Sequence, residues 1–266
     1  NYEKLFSRRS YAKMFSASLT YVLIVVPISV ALGLGSALLI SSLRIGNELY
    51  KAIFFLPVMA TLLAMAIVWE FALNPIMGVV NDILRSGCDK RLIYGFFTGA
   101  WYGADPLQSW YGTACADKFP IWLGDKRYAL GTIAFIGIWQ GFGFNMVLYL
   151  AGLTSVPREL YQAAHMDGAD SAWERFKLVT WPMLGPTHVF VITISSIRSF
   201  QVFDTVEALT EGGPSKSTYV MVYAMFEKGV RQNLLGIGSA ITIVFLAFVL
   251  VLTLIQVYFV NRRVHY

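Results

Sequence analysis

The amino-acid sequence predicts an all-α integral membrane protein, a polytopic helical bundle with five spans. Two observations carry that prediction. Of 266 residues, 56% are hydrophobic and only 14% charged, whereas a soluble domain carries nearly twice that charge; mean hydropathy is +0.58. The apolar residues are also gathered rather than scattered. No Asp, Glu, Lys or Arg occurs from Met14 to Leu43, Ala52 to Trp69, Ala129 to Pro157, Leu178 to Ile197 or Gln232 to Asn261. Each run can supply the roughly 20 residues a helix needs to cross a bilayer. With no water in the hydrocarbon core each run must satisfy its own backbone groups, so helices are the expected form. The spans are expected near 16–41, 50–73, 128–152, 185–206 and 237–260.

The first run is not a secretory signal. Its leader is charged and aromatic, the run is too long for the apolar part of a signal, and no small-residue cleavage site follows. Pro27, Gly33 and Gly35 inside it suit close packing between membrane helices. A net charge of +5 does not point to nucleic acid, because no basic run interleaves with stacking aromatics in a polar segment; the basic residues read as anchors at the membrane interfaces. Orientation is less direct. With Arg262 and Arg263 on the cytoplasmic side, Arg44 and the loop at 153–184 join them, and Lys4, Arg8, Arg9 and Lys13 fall on the opposite side. Charge counting does not settle this; the character of the 153–184 loop does.

Between the second and third spans, residues 85–127 are rich in Gly, Trp and Tyr and read as an extracytoplasmic insertion that meets a soluble partner. They contain both cysteines, Cys88 and Cys115. In an oxidising compartment these can pair, closing a loop worth on the order of 3 kcal/mol in the chain-entropy model; the other reading is two unpaired thiols in a packed loop. No metal site is expected, since His165, His188 and His265 are scattered and the cysteines lack a short ligand spacing.

The loop after the third span, 155–186, is the most informative part of the chain. Ser155 is placed to cap a short helix with Pro157 in its first turn, and Leu160, Ala163 and Ala164 read as one face of it. Asp167-Gly168 reads as a turn in which Gly168 takes positive φ. Ser171 and Glu174 have capping-box spacing, so a second helix begins there, closed by Pro182 and Pro186 before the next span. The product is a helix–turn–helix suited to rigid docking of a cytoplasmic partner, or else an ordinary amphipathic connector.

The residues here carry a resemblance. Glu159-Leu-Tyr-Gln-Ala-Ala-His-Met-Asp-Gly-Ala169, with Phe176, Pro182 and Pro186, resembles the EAA loop of ABC importer permeases, whose short helix fits a groove in the ATP-binding subunit. Gln162, Ala163 and Ala164 match the Glu-Ala-Ala, Gly168 the central glycine and Pro182 the closing proline; Gln162 replaces the usual Glu and Trp181 stands where Leu is common. Asn1-Tyr-Glu-Lys-Leu-Phe6, Asn74-Pro75 and Leu209-Thr-Glu-Gly-Gly-Pro214 are similar to segments of the carbohydrate-uptake group, the permeases for maltose and glycerol phosphate. The resemblance implies the type I (MetI-like) importer bundle, in which a further span precedes the Asn1 segment. It also implies the cytoplasmic (inner) membrane of a bacterium or archaeon. The implied partners are a second homologous permease, a dimer of ATP-binding subunits that hold ATP and Mg, an extracytoplasmic solute-binding protein and membrane lipid. Coupling to the ATPase falls to Glu159, Gln162, Ala163, Ala164, Asp167, Gly168 and Ala169.

Polar residues inside spans are unfavourable in lipid and face protein or an aqueous path. In the third span these are Gln140 and Asn145, beside Phe142, Phe144 and Tyr149; in the fourth, Ser195, Arg198, Gln201 and Asp204, the first three on one stripe and Asp204 rotated further round. Rings beside amides suit a sugar, covering its C–H faces and bonding its hydroxyls. Arg198 in such a path favours an anionic solute; the alternative is that Arg198 and Asp204 form an interhelical polar contact or reach the interface. Catalytic chemistry is not indicated. The sequence has no Gly-x-x-x-x-Gly-Lys phosphate loop and no Gly-x-Ser-x-Gly elbow. An ion-coupled secondary transporter would need its own coupling-ion site and a repeated helix set, which these five spans do not supply.

Overall fold

The computed structural model describes residues 9–43, 46–81, 83 and 120–261. The helices are α1 (Arg9–Ser42), α2 (Asn47–Met59), α3 (Leu62–Ala72), α4 (Ala129–Thr154), α5 (Arg158–Met166), α6 (Ala172–Arg175), α7 (Trp181–Met183), α8 (Gly185–Phe200), α9 (Asp204–Leu209), α10 (Met221–Phe226) and α11 (Leu235–Asn261). Single π-helical turns occupy Phe176–Thr180, between α6 and α7, and Glu227–Arg231, after α10. Among the described residues there is no strand.

Four segments are long and apolar enough to cross a membrane: Tyr11–Ser42, Ala129–Thr154, Gly185–Leu209 and Leu235–Ile255. The fifth expected span, 50–73, is not one helix. It is α2 and α3, bent by 96° at Ala60 and Thr61, whose backbones are extended. Pro57 lies in the last full turn of α2, where its missing N–H and its ring weaken the helix, and the chain leaves the helical path within three residues. The fourth span is also interrupted: α8 stops at Phe200 and α9 starts at Asp204, with Gln201 as the C-cap of α8.

The molecule is built round the pairing of α1 and α4, with α8 lying against both, α2 on α4, and α11 on α8 and α10. Close approach is possible where α1 carries Gly33: a Cβ there would sit 2.6 Å from Asn145 Cβ. Gly35, two residues on, faces open space, so only the first of the two expected small residues serves the packing. One apolar cluster joins Tyr21, Val22 and Val25 of α1 to Ile133 and Ile138 of α4, Phe200 of α8 and Ile241 of α11; a second joins Ala37, Ile40, Met146, Tyr149 and Val191.

The outer faces are apolar too. Between 17% and 39% of each span's apolar window is buried, and Leu23, Leu39, Leu246 and Leu254 stand exposed. A surface of this kind fits lipid or another membrane subunit, not water. Polar side chains on it bond their own helix: Ser36 Oγ donates to Leu32 O at 2.7 Å and Thr253 Oγ1 to Val249 O at 2.9 Å.

Candidate functional site

A cavity of about 290 Å³ opens between α1, α4, α8 and the segment 201–205, with Val58 of α2 at its edge. Six residues expected on a solute path line it: Gln140, Asn145, Ser195, Arg198, Gln201 and Asp204. They do two different things. Asn145, only 2% exposed, is the centre of a bonded chain. Ser195 Oγ donates to Asn145 Oδ1 at 2.9 Å, Asn145 Nδ2 donates to Ser29 Oγ at 3.3 Å, and Ser29 Oγ donates to Val26 O at 3.2 Å. These bonds stitch α8, α4 and α1 together inside the membrane region, where buried polar groups need partners.

The remaining four keep their polar ends for the cavity. Among the described residues the side-chain amides of Gln140 and Gln201 have no hydrogen-bond partner. The Arg198 guanidinium lies over the Phe144 ring, 4.3 Å from its centroid, a cation–π contact. Phe144 thus acts behind Arg198, outside the cavity lining. No ion pair joins Arg198 to Asp204 among the described residues, and both residues are exposed. Asp204 opens α9, where the free N–H groups of a helix start favour a carboxylate.

Tyr149 is elsewhere. It is fully buried near the far end of α4, with its hydroxyl 2.9 Å from His188 Nδ1, because the helical path carries it more than two turns beyond Gln140. The sequence reading missed Tyr21, Ser29, Ser199 and Thr205, which also line the cavity. Tyr21, Val25 and Ser29 recur at i, i+4 and i+8, one face of α1, and that spacing was the available signal.

At the other end of α4 and α8 the 155–186 segment folds as a hairpin. Ser155 does not cap α5. It closes α4, its Oγ donating to Gly152 O at 2.7 Å, and Pro157 is the N-cap residue. After α5, Gly168 takes φ +90°, and Gly168 N and Ala169 N donate to His165 O and Ala164 O at 3.1 and 2.9 Å. The capping box of α6 is complete: Ser171 N donates to Glu174 Oε2 at 3.0 Å and Glu174 N to Ser171 Oγ at 3.1 Å. Those bonds from Ser171 hold the Glu174 carboxyl below its ordinary value. Pro182 and Pro186 do not close this helix; they stand in the first turns of α7 and α8, where no N–H is needed.

The buried face of α5 differs from the expected one. Ala164 packs with Val156, Ala169 and Val179, and half-buried Tyr161 reaches Thr180 Oγ1 at 3.0 Å. Leu160 and Ala163 are exposed. Glu159, Gln162, Ala163 and Met166 form the outward stripe at i, i+3, i+4 and i+7, with Met166 86% exposed. Asp167 and Gly168 are exposed at the turn, while Ala169 is buried. The hairpin meets the bundle through rings: Trp173 stacks on Phe176 at 5.5 Å, Phe176 meets Trp181 at 5.8 Å, Trp181 meets His188 at 4.4 Å, and His188 meets Tyr149 at 5.2 Å.

The opposite end is closed by the chain between α8 and α11. Arg231 bonds Glu207 Oε1 at 2.6 Å and Glu211 Oε2 at 3.5 Å. The Tyr219 hydroxyl donates to Glu227; burial first, and then that carboxylate, push this phenol far above its ordinary value. Of the expected insertion, residues 120–127 are turns leading into α4, and Trp122 Nε1 donates to fully buried Asn81 Oδ1 at 2.8 Å. Cys88 and Cys115 lie outside the described residues. Among the described residues no group of His, Cys, Asp and Glu is arranged to hold a metal.

Comparison with known proteins places this arrangement. The chain is 29% identical to the sn-glycerol-3-phosphate transport system permease protein UgpA of Brucella abortus, over all of this chain and 81% of that protein. It is 27% identical to the probable ABC transporter permease protein YurN of Bacillus subtilis, over 97% of this chain and 80% of that one. Its fold is similar to a chain in the crystal structure of a bacterial ABC transporter involved in the import of the acidic polysaccharide alginate. There the TM-score is 0.78 at 21% identity, covering 98% of this chain and 82% of the other. Residues 5–265 match the family described as binding-protein-dependent transport system inner membrane component. The chain belongs to that family.

Proposed function

We propose that the chain forms half of the translocation pore of an ATP-driven importer of a sugar or sugar-like solute. A second homologous permease supplies the other half. An extracytoplasmic solute-binding protein delivers the solute, and a pair of ATP-binding subunits docks on the 155–186 hairpin. One observation carries the solute class: the cavity between the spans is lined by the half-buried Gln140 and the exposed Gln201, whose amides have no hydrogen-bond partner among the described residues. Hydroxyl-rich solutes hydrogen-bond such groups. The relatives support it: UgpA is named for sn-glycerol-3-phosphate transport, and the alginate transporter was crystallised with an alginate pentasaccharide-bound periplasmic protein.

The mechanism is a two-state one. ATP binding closes the nucleotide-binding subunits, the hairpin transmits that closure to α4 and α8, the cavity turns outward to receive solute, and hydrolysis resets it. The bias between states comes from ATP, and the hairpin is the mechanical link. The outward stripe of Glu159, Gln162, Ala163 and Met166 supports docking there. Gln162 retains hydrogen-bonding reach toward a basic groove without a formal charge.

The test is ATPase activity of the reconstituted complex with and without solute-loaded binding protein, for the natural hairpin and for Gly168→Pro. A φ of +90° is closed to proline, so the turn should break. Stimulation that depends on the binding protein, and is lost in a variant that still assembles, supports the reading. Uptake with no ATPase present would overturn it.

A further inference from the structure

We propose that Arg198 is the anion-recognition residue of the cavity, and that the solute passing it carries a carboxylate or a phosphate on its hydroxylated frame. This rests on the saccharide reading above and adds a charge to it. Arg198 is exposed in the last turn of α8, where it lines the cavity. This chain also has an arginine serving structure: Arg231 is held by two carboxylates, Glu207 at 2.6 Å and Glu211 at 3.5 Å. Arg198 is treated differently. Among the described residues it has neither hydrogen bond nor ion pair, and its guanidinium lies 4.3 Å from the centroid of the Phe144 ring. That ring restrains the guanidinium, whose N–H donors lie in its own plane and remain free for a planar or tetrahedral oxyanion.

The neighbours complete the pattern. Gln140, Gln201 and Asp204 line the same cavity as Arg198, and no ion pair joins Asp204 to Arg198 among the described residues. The cavity is therefore polarised. An anionic group is drawn to Arg198 and repelled by Asp204, whose carboxylate can instead accept from solute hydroxyls. A neutral sugar offers the guanidinium hydrogen bonds but no counter-charge, so it binds less tightly than an anionic one.

The experiment uses the whole transport complex in nanodiscs, without binding protein, titrated with digalacturonate, glucose 6-phosphate and neutral maltose. One or both anionic probes should bind about tenfold more tightly than maltose, the scale of a single charge-assisted pair, with an advantage that weakens as salt rises. Preference for digalacturonate marks a carboxylate solute, preference for the phosphate a phosphorylated one; either supports the proposal. Arg198→Gln should remove the preference and Arg198→Lys should keep part of it. If the Gln variant fails to assemble, the salt dependence and the Lys variant decide. Equal affinity for all three overturns the charge proposal and leaves the saccharide reading standing. A preference that survives in Arg198→Gln also overturns it. Binding of none of the three overturns both.

Discussion

Three spans meet on one side chain, Asn145, through bonds of 2.9 and 3.3 Å to Ser195 and Ser29. Asn145→Leu keeps the volume but leaves both hydroxyls without that partner. A buried polar group left unpaired costs about 1–3 kcal/mol, so the purified permease should melt several degrees lower. Ser29→Ala removes two bonds, one from Asn145 and one to Val26 O, and should cost about 1–2 kcal/mol; equal melting of all three proteins would mean that the network adds nothing. A second contrast separates the two glycines of α1. Gly33→Ala forces a Cβ to 2.6 Å from Asn145 Cβ and should destabilise by about 1–3 kcal/mol, as overpacking does. Gly35→Ala meets nothing within 4 Å and should be neutral or stabilise by about 0.5–1 kcal/mol. Both sets of melting curves are read on the same preparation. The sequence named Asn145, Ser195 and Gly33 because polar and small residues stand out in an apolar run. It did not say that Asn145 and Ser195 are engaged by each other while Gln140 and Gln201 are not, since that depends on which faces of α1 and α4 meet.

The hairpin is the element whose local chemistry is most explicit. Ser171 and Glu174 have the spacing of a capping box and form one, and Gly168 takes the left-handed turn, φ +90°. Ser171→Ala should therefore loosen α6 by about 0.5–2 kcal/mol, read as faster amide exchange at 172–176. The box also has a pH dependence of known sign. Hydrogen bonds from Ser171 lower the folded-state pKa of Glu174 below 4.5. The contribution is thus fully present above that value and is lost as pH falls through the lowered one. Exchange at 172–176 should be flat from neutral pH down to about 5 after correction for intrinsic rates. It should rise only in stronger acid, and not at all in Glu174→Gln. What the hairpin sequence hid was its buried face. Leu160 looked like the inward residue, yet Tyr161 goes inward because Thr180 satisfies its hydroxyl, and in nine residues that rotation leaves no clear periodic trace.

For the whole molecule, charge-free runs mark α1, α4, α8 and α11 because hydrocarbon admits little else. The break between α2 and α3 left only Pro57 as a sign, since Ala52–Trp69 is apolar throughout and reads as one continuous span. Long-range connection was not legible at all. Trp173, Phe176, Trp181, His188 and Tyr149 are spread over 40 residues of sequence and form one continuous path of rings from the hairpin into α8 and α4. Tyr149 then packs with Met146 and Val191, next to the Asn145–Ser195 bond that lines the cavity. Under the proposed mechanism, a push on the hairpin would reach the cavity helices through these ring contacts. The backbone between α6 and α8 is interrupted by a π-helical turn and by a break at Leu184. Trp181 is the middle contact, 5.8 Å from Phe176 and 4.4 Å from His188. Trp181→Ala removes both, a loss of about 1–3 kcal/mol for two aromatic contacts, and it touches no residue of the outward stripe proposed to meet the ATP-binding subunits. The complex should therefore assemble and hydrolyse ATP at its basal rate, while stimulation by solute-loaded binding protein falls severalfold. Trp181→Phe, which keeps a ring in place, should recover most of it. Full stimulation in Trp181→Ala would mean that the backbone carries the coupling and the rings only fill space.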